Sequence, residues 1–213
     1  MVVVAITEET LATLPYRSPV DREFLARLLA ALEAAKPRAI GIDILFDQRT
    51  EQAKDEALRK KLLNLSVPVV VAEAGTDGNL TEPRQAFLKR FTDGVATGLV
   101  NLSKDRADGV VRWIFPGATV GGEWKPGFVG MLAKVLGLPV PEGDVALACR
   151  GGPGVGTSAF RVYPAHTVAL LPKDWFAGKV VLIGSDLPLV DRHRTPFVAA
   201  LGSQEGNLPG YAG

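Results

Sequence analysis

The feature that most constrains the fold is a set of short runs in which almost every residue is hydrophobic. Val2–Ile6, Ala39–Leu45, Val67–Ala72 and Lys179–Ile183 are all of strand length and rich in β-branched residues. A strand with one face in water alternates apolar and polar residues, whereas these runs do not, so both of their faces are predicted to be buried. Helical stretches separate the first three runs. This order predicts a parallel sheet that is covered by helices.

The helices are predicted from their start and stop signals. Ser18 is placed to cap one helix, which Lys36-Pro37 ends. Thr50 is predicted to open a second helix, because acidic residues come early in that stretch and basic residues late, as the helix dipole favours. Two further helices are predicted in the middle of the chain, a short one from Thr81 and one over Gly127–Leu136.

Antiparallel hairpins are predicted beside the parallel sheet. The glycine-rich stretch Gly151–Ser158 is similar to a phosphate-binding loop, but Thr157 stands where that loop has its Lys, and a strand follows instead of a helix. A hairpin turn is therefore favoured there over a nucleotide site. The predicted strands of the two hairpins are Val95–Asn101 with Val110–Phe115, and Val145–Arg150 with Ala159–Tyr163. The fold class is thus α/β, a single domain over residues 1–213 with a mostly parallel, helix-covered sheet and an antiparallel hairpin extension.

Composition excludes several classes of protein. The 24 Lys and Arg residues nearly balance the 23 Asp and Glu residues, which argues against a dedicated nucleic-acid binder. Cys149 is the single cysteine, so an internal disulfide framework and a cysteine-rich metal site are excluded. No apolar run approaches the ~20 residues of a membrane-spanning helix. Both ends are interpreted as cut from a longer protein, because an apolar strand directly follows Met1 and the chain finishes on NLPGYAG.

Polar side chains follow the predicted strands at their carboxyl ends, which is where parallel sheets form their binding crevice. These side chains could hold a cation or another ligand through their oxygen atoms, or they could cap the helices that follow. Nothing in the sequence indicates a cofactor or a resident metal. The candidate ligand-binding residues are Thr7, Glu8, Asp43, Asp47, Ser185, Asp186 and Arg192.

Asp43 is the most informative of these candidates. It lies between Ile42 and Ile44 in a predicted strand, so its carboxylate is predicted to be buried. A buried carboxylate must be paired or hydrogen-bonded, because an unpartnered charge in the interior is costly. One reading is an internal ion pair, and the other is contact with a ligand or cation. The arginines considered for the pair are Arg17, Arg112 and Arg192.

The segment that follows the last buried strand, SDLPLVDRHRTPF, is dense in charged residues and prolines. His193 two residues after Asp191 suggests a general base. However, no Ser or Cys lies in a nucleophile setting such as G-x-S-x-G, and closely spaced residues do not automatically orient one another. An ordered loop held by Asp–Arg pairing is favoured, and no catalytic residue is assigned.

At this segment the sequence resembles the CHASE family of the second type, the cyclase/histidine-kinase-associated sensing extracellular domains. The matching elements run in order through almost the whole chain. They are VVVAIT, YRSPVDREFLARLLAAL, PRAIGIDILFDQ, VPVVVA, GLVN followed by DRADGVVR, then FRVYPAHTV, FAGKVVLIGSD, DRHRTPF and LPG.

The resemblance implies a sensory module of a bacterial transmembrane receptor and not an enzyme. It implies a place outside the cytoplasm, held by flanking membrane helices, upstream of a nucleotide cyclase, a histidine kinase or a Ser/Thr kinase. The partners expected are a small-molecule or protein stimulus and a second receptor chain, with no nucleic acid. The resemblance assigns no ligand, and it marks as structural the positions Asp43, Arg112, Asp191, Thr195 and Pro196.

Two other functions stay open at this point. One is a ligand-free dimerisation module of the same receptor, which predicts a self-association surface. The other is a metal-dependent hydrolase that uses Asp43 and Asp186 at the strand ends.

Overall fold

The computed structural model of the chain describes residues 1–75, 80–140, 142–143, 145–149, 159–188, 192–196 and 207–209. The helices in these residues are α1 (Glu8–Ala12), α2 (Arg22–Ala34), α3 (Gln52–Leu63), α4 (Glu82–Thr92) and α5 (Phe128–Val135), with 3-10 helices at Ala165–Leu170 and Lys173–Trp175. The strands are β1 (Val2–Ile6), β2 (Ala39–Ile42), β3 (Val69–Glu73), β4 (Ala96–Leu99), β5 (Ser103–Lys104), β6 (Val111–Trp113), β7 (Gly117–Val120), β8 (Glu123–Pro126), β9 (Arg161–Pro164), β10 (Val180–Ser185), β11 (Arg192–Arg194) and β12 (Asn207–Pro209).

Six strands form one sheet in the order β4-β3-β2-β10-β1-β9, and every neighbouring pair in it is parallel. The last long strand, β10, lies between β1 and β2, and its register with β1 runs from Val2 opposite Val181 to Ile6 opposite Ser185. All five residues of β1 are buried, as its uninterrupted apolar sequence predicts. The predicted parallel α/β sheet is therefore confirmed.

Helices cover both faces of the sheet. On one face α2, α3, α4 and the 3-10 helix Ala165–Leu170 contribute to the main apolar cluster. On the other face α5 packs over β2, β3 and β4 through a smaller cluster around Leu132. In α2 the residues Leu25, Leu29 and Leu32 are at most 2% exposed. Each such side chain stabilises the fold by roughly 1.5–3 kcal/mol through the hydrophobic effect.

The start of α2 differs from the prediction. Asp21 and not Ser18 caps the helix, since the Asp21 carboxylate accepts a hydrogen bond from the Phe24 N–H at 2.7 Å. The same carboxylate pairs with Lys54 of α3 at 2.6 Å. A cap that also joins two helices offers more interactions than the Ser18 hydroxyl, which explains the later start. Thr50 likewise lies just before α3, where its N–H and hydroxyl both donate to Asp55.

The first predicted hairpin is wrong in its pairing. The run Val95–Asn101 supplies β4, which joins the parallel sheet beside β3 instead of pairing with the run Val110–Phe115. The partner of β6 is the two-residue strand β5, and the chain turns between them at Asp105–Gly109. The polar stretch Ser103–Gly109, predicted to be the turn of this hairpin, contains β5 itself, so the turn is limited to Asp105–Gly109.

The second predicted hairpin is also corrected. Arg161–Pro164 is the edge strand β9, parallel to β1, and Ala146 makes only an isolated bridge with Trp113. The edge position tolerates Pro164, which has no N–H to give to a further strand. The glycine-rich stretch at 151–158, for which a hairpin turn was predicted, lies outside the described residues. The hairpin β7–β8 and the short helix α1 were not predicted.

Candidate functional site

The carboxyl ends of three neighbouring strands bring together four of the predicted site residues. Asp43 follows β2, Ser185 and Asp186 end and follow β10, and Thr7 follows β1. The backbone fixes this arrangement, because the Asp43 N–H donates to Ile183 O at 2.8 Å and the Asp186 N–H donates to Ile6 O at 3.0 Å. Adjacent strands are about 4.8 Å apart, so the three strand ends form one continuous edge.

Asp43 is not buried, contrary to the prediction. The strand β2 ends at Ile42, so Asp43 leaves the sheet at its edge, and the residue is exposed. Two of the arginines proposed as its partners bind elsewhere: Arg17 pairs with Glu8, and Arg112 pairs with Asp105 and Asp108. The apolar neighbours in the sequence misled the prediction because the parallel register stops one residue before the aspartate.

Glu8 and Thr7 make local contacts. Thr7 caps α1, with its hydroxyl oxygen accepting from the Thr10 N–H at 3.3 Å. Glu8 accepts two hydrogen bonds from Arg17, at 2.7 and 2.8 Å, and this contact lowers the pKa of the Glu8 carboxyl. Both side chains of the pair are exposed, so solvent screens the pair and it contributes little to stability.

Asp47 lies in the loop between β2 and α3, which buried charges hold in place. Asp47 is itself buried and pairs with Arg84 of α4. Under the loop, the Arg22 guanidinium lies 4.6 Å from the centre of the Phe46 ring and donates to Gln48 O at 3.2 Å. The Arg22 side chain is 1% exposed, and burial lowers its pKa. Asp47 therefore helps to fix the loop that follows the carboxyl end of β2.

The remaining predicted residues lie in or next to a separate antiparallel ribbon formed by β11 and β12. Arg192 is in β11, opposite Pro209. Thr195 is buried and Pro196 is exposed, whereas Asp191 lies outside the described residues. The ribbon touches the turn that precedes β6, because the Arg194 guanidinium donates to Asp108 O at 3.2 Å.

Arg112 holds that turn together. Its guanidinium donates two hydrogen bonds to Asp108, both at 2.7 Å, and one to Asp105 at 3.1 Å. The contact with Arg112 lowers the pKa of Asp108 to about 2. These bonds fix the turn that leads into β6, and β6 carries Trp113.

An open pocket of about 100 Å³ lies at the carboxyl ends of β2 and β4. Most of its lining is apolar, with three aromatic side chains from Trp113, Phe115 and Phe128. Its two polar lining residues are Asp43 and Asn101. An apolar pocket with a few converging polar groups is the usual form of a small-molecule site.

Glycines allow the start of α5 to form one wall of this pocket. A Cβ atom on Gly98 of β4 would lie 2.5 Å from Phe128 Cα, so only glycine permits the helix to approach the strand this closely. The Asn101 side chain packs against Gly75, where a Cβ would lie 2.8 Å from Asn101 Oδ1. The opposite wall is tied together by backbone hydrogen bonds, from Ile114 N–H to Val145 O and from Leu147 N–H to Arg112 O, both at 2.8 Å.

The sequence of the chain matches the model of a known protein family. The model of the CHASE2 domain matches residues 1–211, essentially the whole chain. The chain belongs to the CHASE2 domain family. CHASE2 domains are extracellular sensory domains of membrane receptors, so the resemblance inferred from the sequence is confirmed. Searches of curated proteins and of solved structures gave no match.

Two further observations on this CHASE2 domain concern metal ions and membrane spans. Within the described residues, no group of three or more His, Cys, Asp or Glu side chains is arranged to hold a metal ion. None of the described helices combines the length and the apolar character needed to cross a membrane.

Sequence reasoning missed the pocket of the CHASE2 domain, although it identified Asp43. Asn101, Trp113 and Phe128 were not candidates. Asn101 directly follows the apolar run of β4, so it was recognisable as a residue at the carboxyl end of a strand. The assignment of that run to a hairpin removed it from the parallel sheet and removed Asn101 from the predicted edge.

Proposed function

We propose that this CHASE2 domain is the extracytoplasmic signal-input domain of a bacterial membrane receptor, and that its stimulus binds in the pocket between Asp43, Asn101 and Trp113. The observation that carries the proposal is the pocket itself, which is open, mostly apolar, and located where parallel sheets bind ligands. The family supports the sensory part of the proposal, because CHASE2 domains are sensory domains.

In the proposed receptor, membrane helices flank the domain and two chains pair as a homodimer. Binding of the stimulus biases two arrangements of this dimer, and the output is the activity of a nucleotide cyclase, a histidine kinase or a Ser/Thr kinase on the other side of the membrane. A coupling free energy of about 1–3 kcal/mol between pocket and effector is sufficient, since it changes the output by about 5- to 150-fold.

The location is tested by labelling a surface cysteine in intact spheroplasts. Leu170 is 86% exposed, so Leu170→Cys in a Cys149→Ser background presents a thiol that is accessible on the folded domain. A membrane-impermeant maleimide is expected to label the receptor before lysis. Labelling that occurs only after the membrane has been permeabilised would place the domain in the cytoplasm and refute the proposal.

The role of the pocket is tested by filling it. Val129, at the start of α5, lines the pocket, so Val129→Trp introduces a ring into the space that the stimulus would occupy. The variant is expected to change the effector output of isolated membranes severalfold, whereas the surface variant Leu170→Trp serves as the matched control. If Val129→Trp folds and its output equals that of the control, the pocket is not the input site.

A further inference from the structure

The amino ends of the parallel strands form a second edge of the sheet, opposite the edge that carries the pocket. We infer that this second edge binds anionic lipid headgroups through five basic side chains, which together form the basic edge: Lys36, Arg38, Arg161, Lys173 and Lys179. The inference rests on the proposed function only in taking the domain to be held beside a membrane; the binding surface itself is argued from the position and charge of its residues.

Backbone contacts bring four of these residues together. Arg38 directly precedes β2 and Lys179 directly precedes β10, and the Arg38 N–H donates to Lys179 O at 2.8 Å. The Lys36 carbonyl accepts a hydrogen bond from the Gly178 N–H at 3.0 Å. Lys173 begins the 3-10 helix that precedes Gly178. The end of α2 and the start of β10 thus place their basic residues on one surface.

Arg161 extends the basic edge across the sheet. It is the first residue of β9, and the strands β2, β10, β1 and β9 are neighbours in this order. Three spacings of about 4.8 Å separate β2 from β9, so the starts of these strands span roughly 14 Å. Basic residues therefore stand at the starts of β2, β10 and β9, within the width of a few lipid headgroups.

The helix dipole explains only part of the positive charge at this end of the sheet. Basic residues are favoured in the last turn of a helix, which accounts for Lys60 and Lys61 at the end of α3. Arg38, Lys179 and Arg161 stand instead at the starts of strands, and sheets have only small net dipoles. Their positive charge is therefore not an effect of helix capping.

The basic edge keeps its positive charge. Four of its side chains are exposed, and Lys179 is half-buried. Among the described residues, none of the five forms an ion pair. The acidic residues closest to them in the sequence are Asp174, which is exposed, and Glu33, which pairs with Lys61. The basic edge therefore presents a net positive charge to a partner, and a lipid surface of negative charge is complementary to it.

The charge of the domain is separated along its strands, which orients it. Acidic residues end or follow the strands at the carboxyl edge, among them Asp43, Glu73 and Asp186, although Glu73 is paired with Lys125. The formal net charge of +1 therefore conceals a basic end and a more acidic end. An anionic bilayer attracts the basic end, which leaves the pocket at the carboxyl edge facing away from the membrane. In the proposed receptor a membrane helix precedes β1, and β1 starts at the basic edge, so this is the edge held beside the bilayer.

The test measures the binding of the 213-residue chain to lipid vesicles. The chain is co-sedimented with vesicles of phosphatidylcholine alone and with vesicles of equal parts phosphatidylcholine and phosphatidylglycerol, and the partition coefficient is determined for each. A Lys or Arg near an anionic surface contributes about 1 kcal/mol, which changes partitioning about fivefold. We expect binding to the anionic vesicles and none to phosphatidylcholine alone. Binding should be lost near 1 M salt, where the screening length is only about 3 Å.

Paired variants assign the binding to the basic edge. Arg38→Gln combined with Lys173→Gln removes two exposed charges, and the partition coefficient for anionic vesicles should fall about 25-fold. Lys104→Gln combined with Arg106→Gln is the matched control, because it removes the same charge from exposed positions in the β5–β6 hairpin, beyond the carboxyl end of β4. The control should lower the partition coefficient by less than about twofold, since charges farther than a Debye length from the lipid are screened.

A second pair of substitutions keeps the test decisive if the first pair does not fold by circular dichroism. Arg161→Gln combined with Lys179→Gln removes two other charges of the basic edge and is expected to show the same loss of about 25-fold.

Three results would overturn the inference. They are no binding to the anionic vesicles, equal losses in the edge variants and the control, or edge variants that leave vesicle binding unchanged but reduce self-association in sedimentation, which would make the basic edge an interface between two copies. The outcomes separate the inference from the proposed function. Absence of vesicle binding in a receptor that labels from outside and responds to Val129→Trp refutes the lipid contact alone. Vesicle binding by a receptor that labels only after permeabilisation leaves the lipid contact in place and refutes the proposed location.

Discussion

The contact between Gly98 and the start of α5 offers a sharp test of how the pocket is built. In a Gly98→Ala variant the new Cβ would lie 2.5 Å from Phe128 Cα and 2.9 Å from Phe128 N. Non-bonded carbon atoms rest at about 3.5–4.0 Å, so the helix start has to move away from β4 by about 1 Å. Both atoms that it meets belong to the backbone, so a change of rotamer cannot relieve the clash.

The size of the effect follows from two opposing contributions. Insertion of a methyl group into a tightly packed contact costs about 1–3 kcal/mol, and a backbone clash belongs at the upper end of that range. The reduced freedom of the unfolded chain returns about 0.4–1 kcal/mol when Gly becomes Ala. The expected net loss in the free energy of unfolding is therefore about 2 kcal/mol.

Urea unfolding followed by tryptophan fluorescence and circular dichroism measures this loss. With an m-value of about 2 kcal/mol per M, the midpoint should fall by about 1 M. Gly130→Ala is the matched control, because its Cβ would lie 3.3 Å from the tip of the Val140 side chain and at ordinary contact distance, 3.8 Å, from Pro116 O and Pro126 Cβ. Gly130 lies inside α5, where Ala is the better helix former, so this variant should be more stable by about 0.5–1 kcal/mol.

A Gly98→Ala variant as stable as the unchanged chain would refute the close approach of α5 to β4. It would also remove the reason for placing Phe128 as a fixed wall of the pocket. A loss of stability in both variants would point instead to a general sensitivity of α5 to substitution, and the specific contact at Gly98 would then explain nothing.

Two further predictions concern ionisation. Lys61 and the Ser66 N–H hold the pKa of Glu33 at about 2, below its ordinary 4.5. The contact therefore stabilises the fold above pH 4.5, and this stabilisation is lost as the pH falls toward 2. The difference in free energy of unfolding between the unchanged chain and Glu33→Gln should close over that interval, and a constant difference would contradict the prediction. Burial and the neighbouring Glu51 raise the pKa of Tyr16 from 10 to about 12, so ultraviolet titration should show a phenol that ionises near pH 12 and that Tyr16→Phe removes; a late transition that persists in Tyr16→Phe would show the assignment to be wrong.

The parallel sheet was predictable because hydrophobic burial alone specifies it. The limits of Val2–Ile6 were predicted correctly, because an apolar run of strand length is stable only inside a sheet that is covered on both faces. The helix starts were less predictable, because Asp21 gains its advantage over Ser18 from Lys54, which is 33 residues away in the sequence. Local capping signals do not contain a contact of that kind.

The pocket was less predictable than the sheet for a related reason. Its walls come from Asp43 after β2, from β4, from β6 and from the start of α5, and their meeting depends on the close approach at Gly98. The sequence shows that Gly98 is a glycine but not what approaches it. Asp43 was identified from its unusual place next to an apolar run, whereas the burial assigned to it was wrong because the register ends at Ile42.

The two walls of the pocket differ in how firmly they are held, and this difference suits a sensor. The wall at Phe128 is fixed to the parallel sheet by a backbone contact and by the apolar cluster around Leu132. The wall at Trp113 is held by the two-residue strand β5, by the backbone bonds from Ile114 to Val145 and from Leu147 to Arg112, and by the half-exposed Arg112 pairs, which solvent screens. Segments of low local stability open first, and a ligand that binds only the closed form stabilises that form in proportion to its occupancy. A ligand that joins Trp113 to the rigid edge would therefore order the weaker wall, and the Arg194 contact to Asp108 would carry that change into the ribbon formed by β11 and β12.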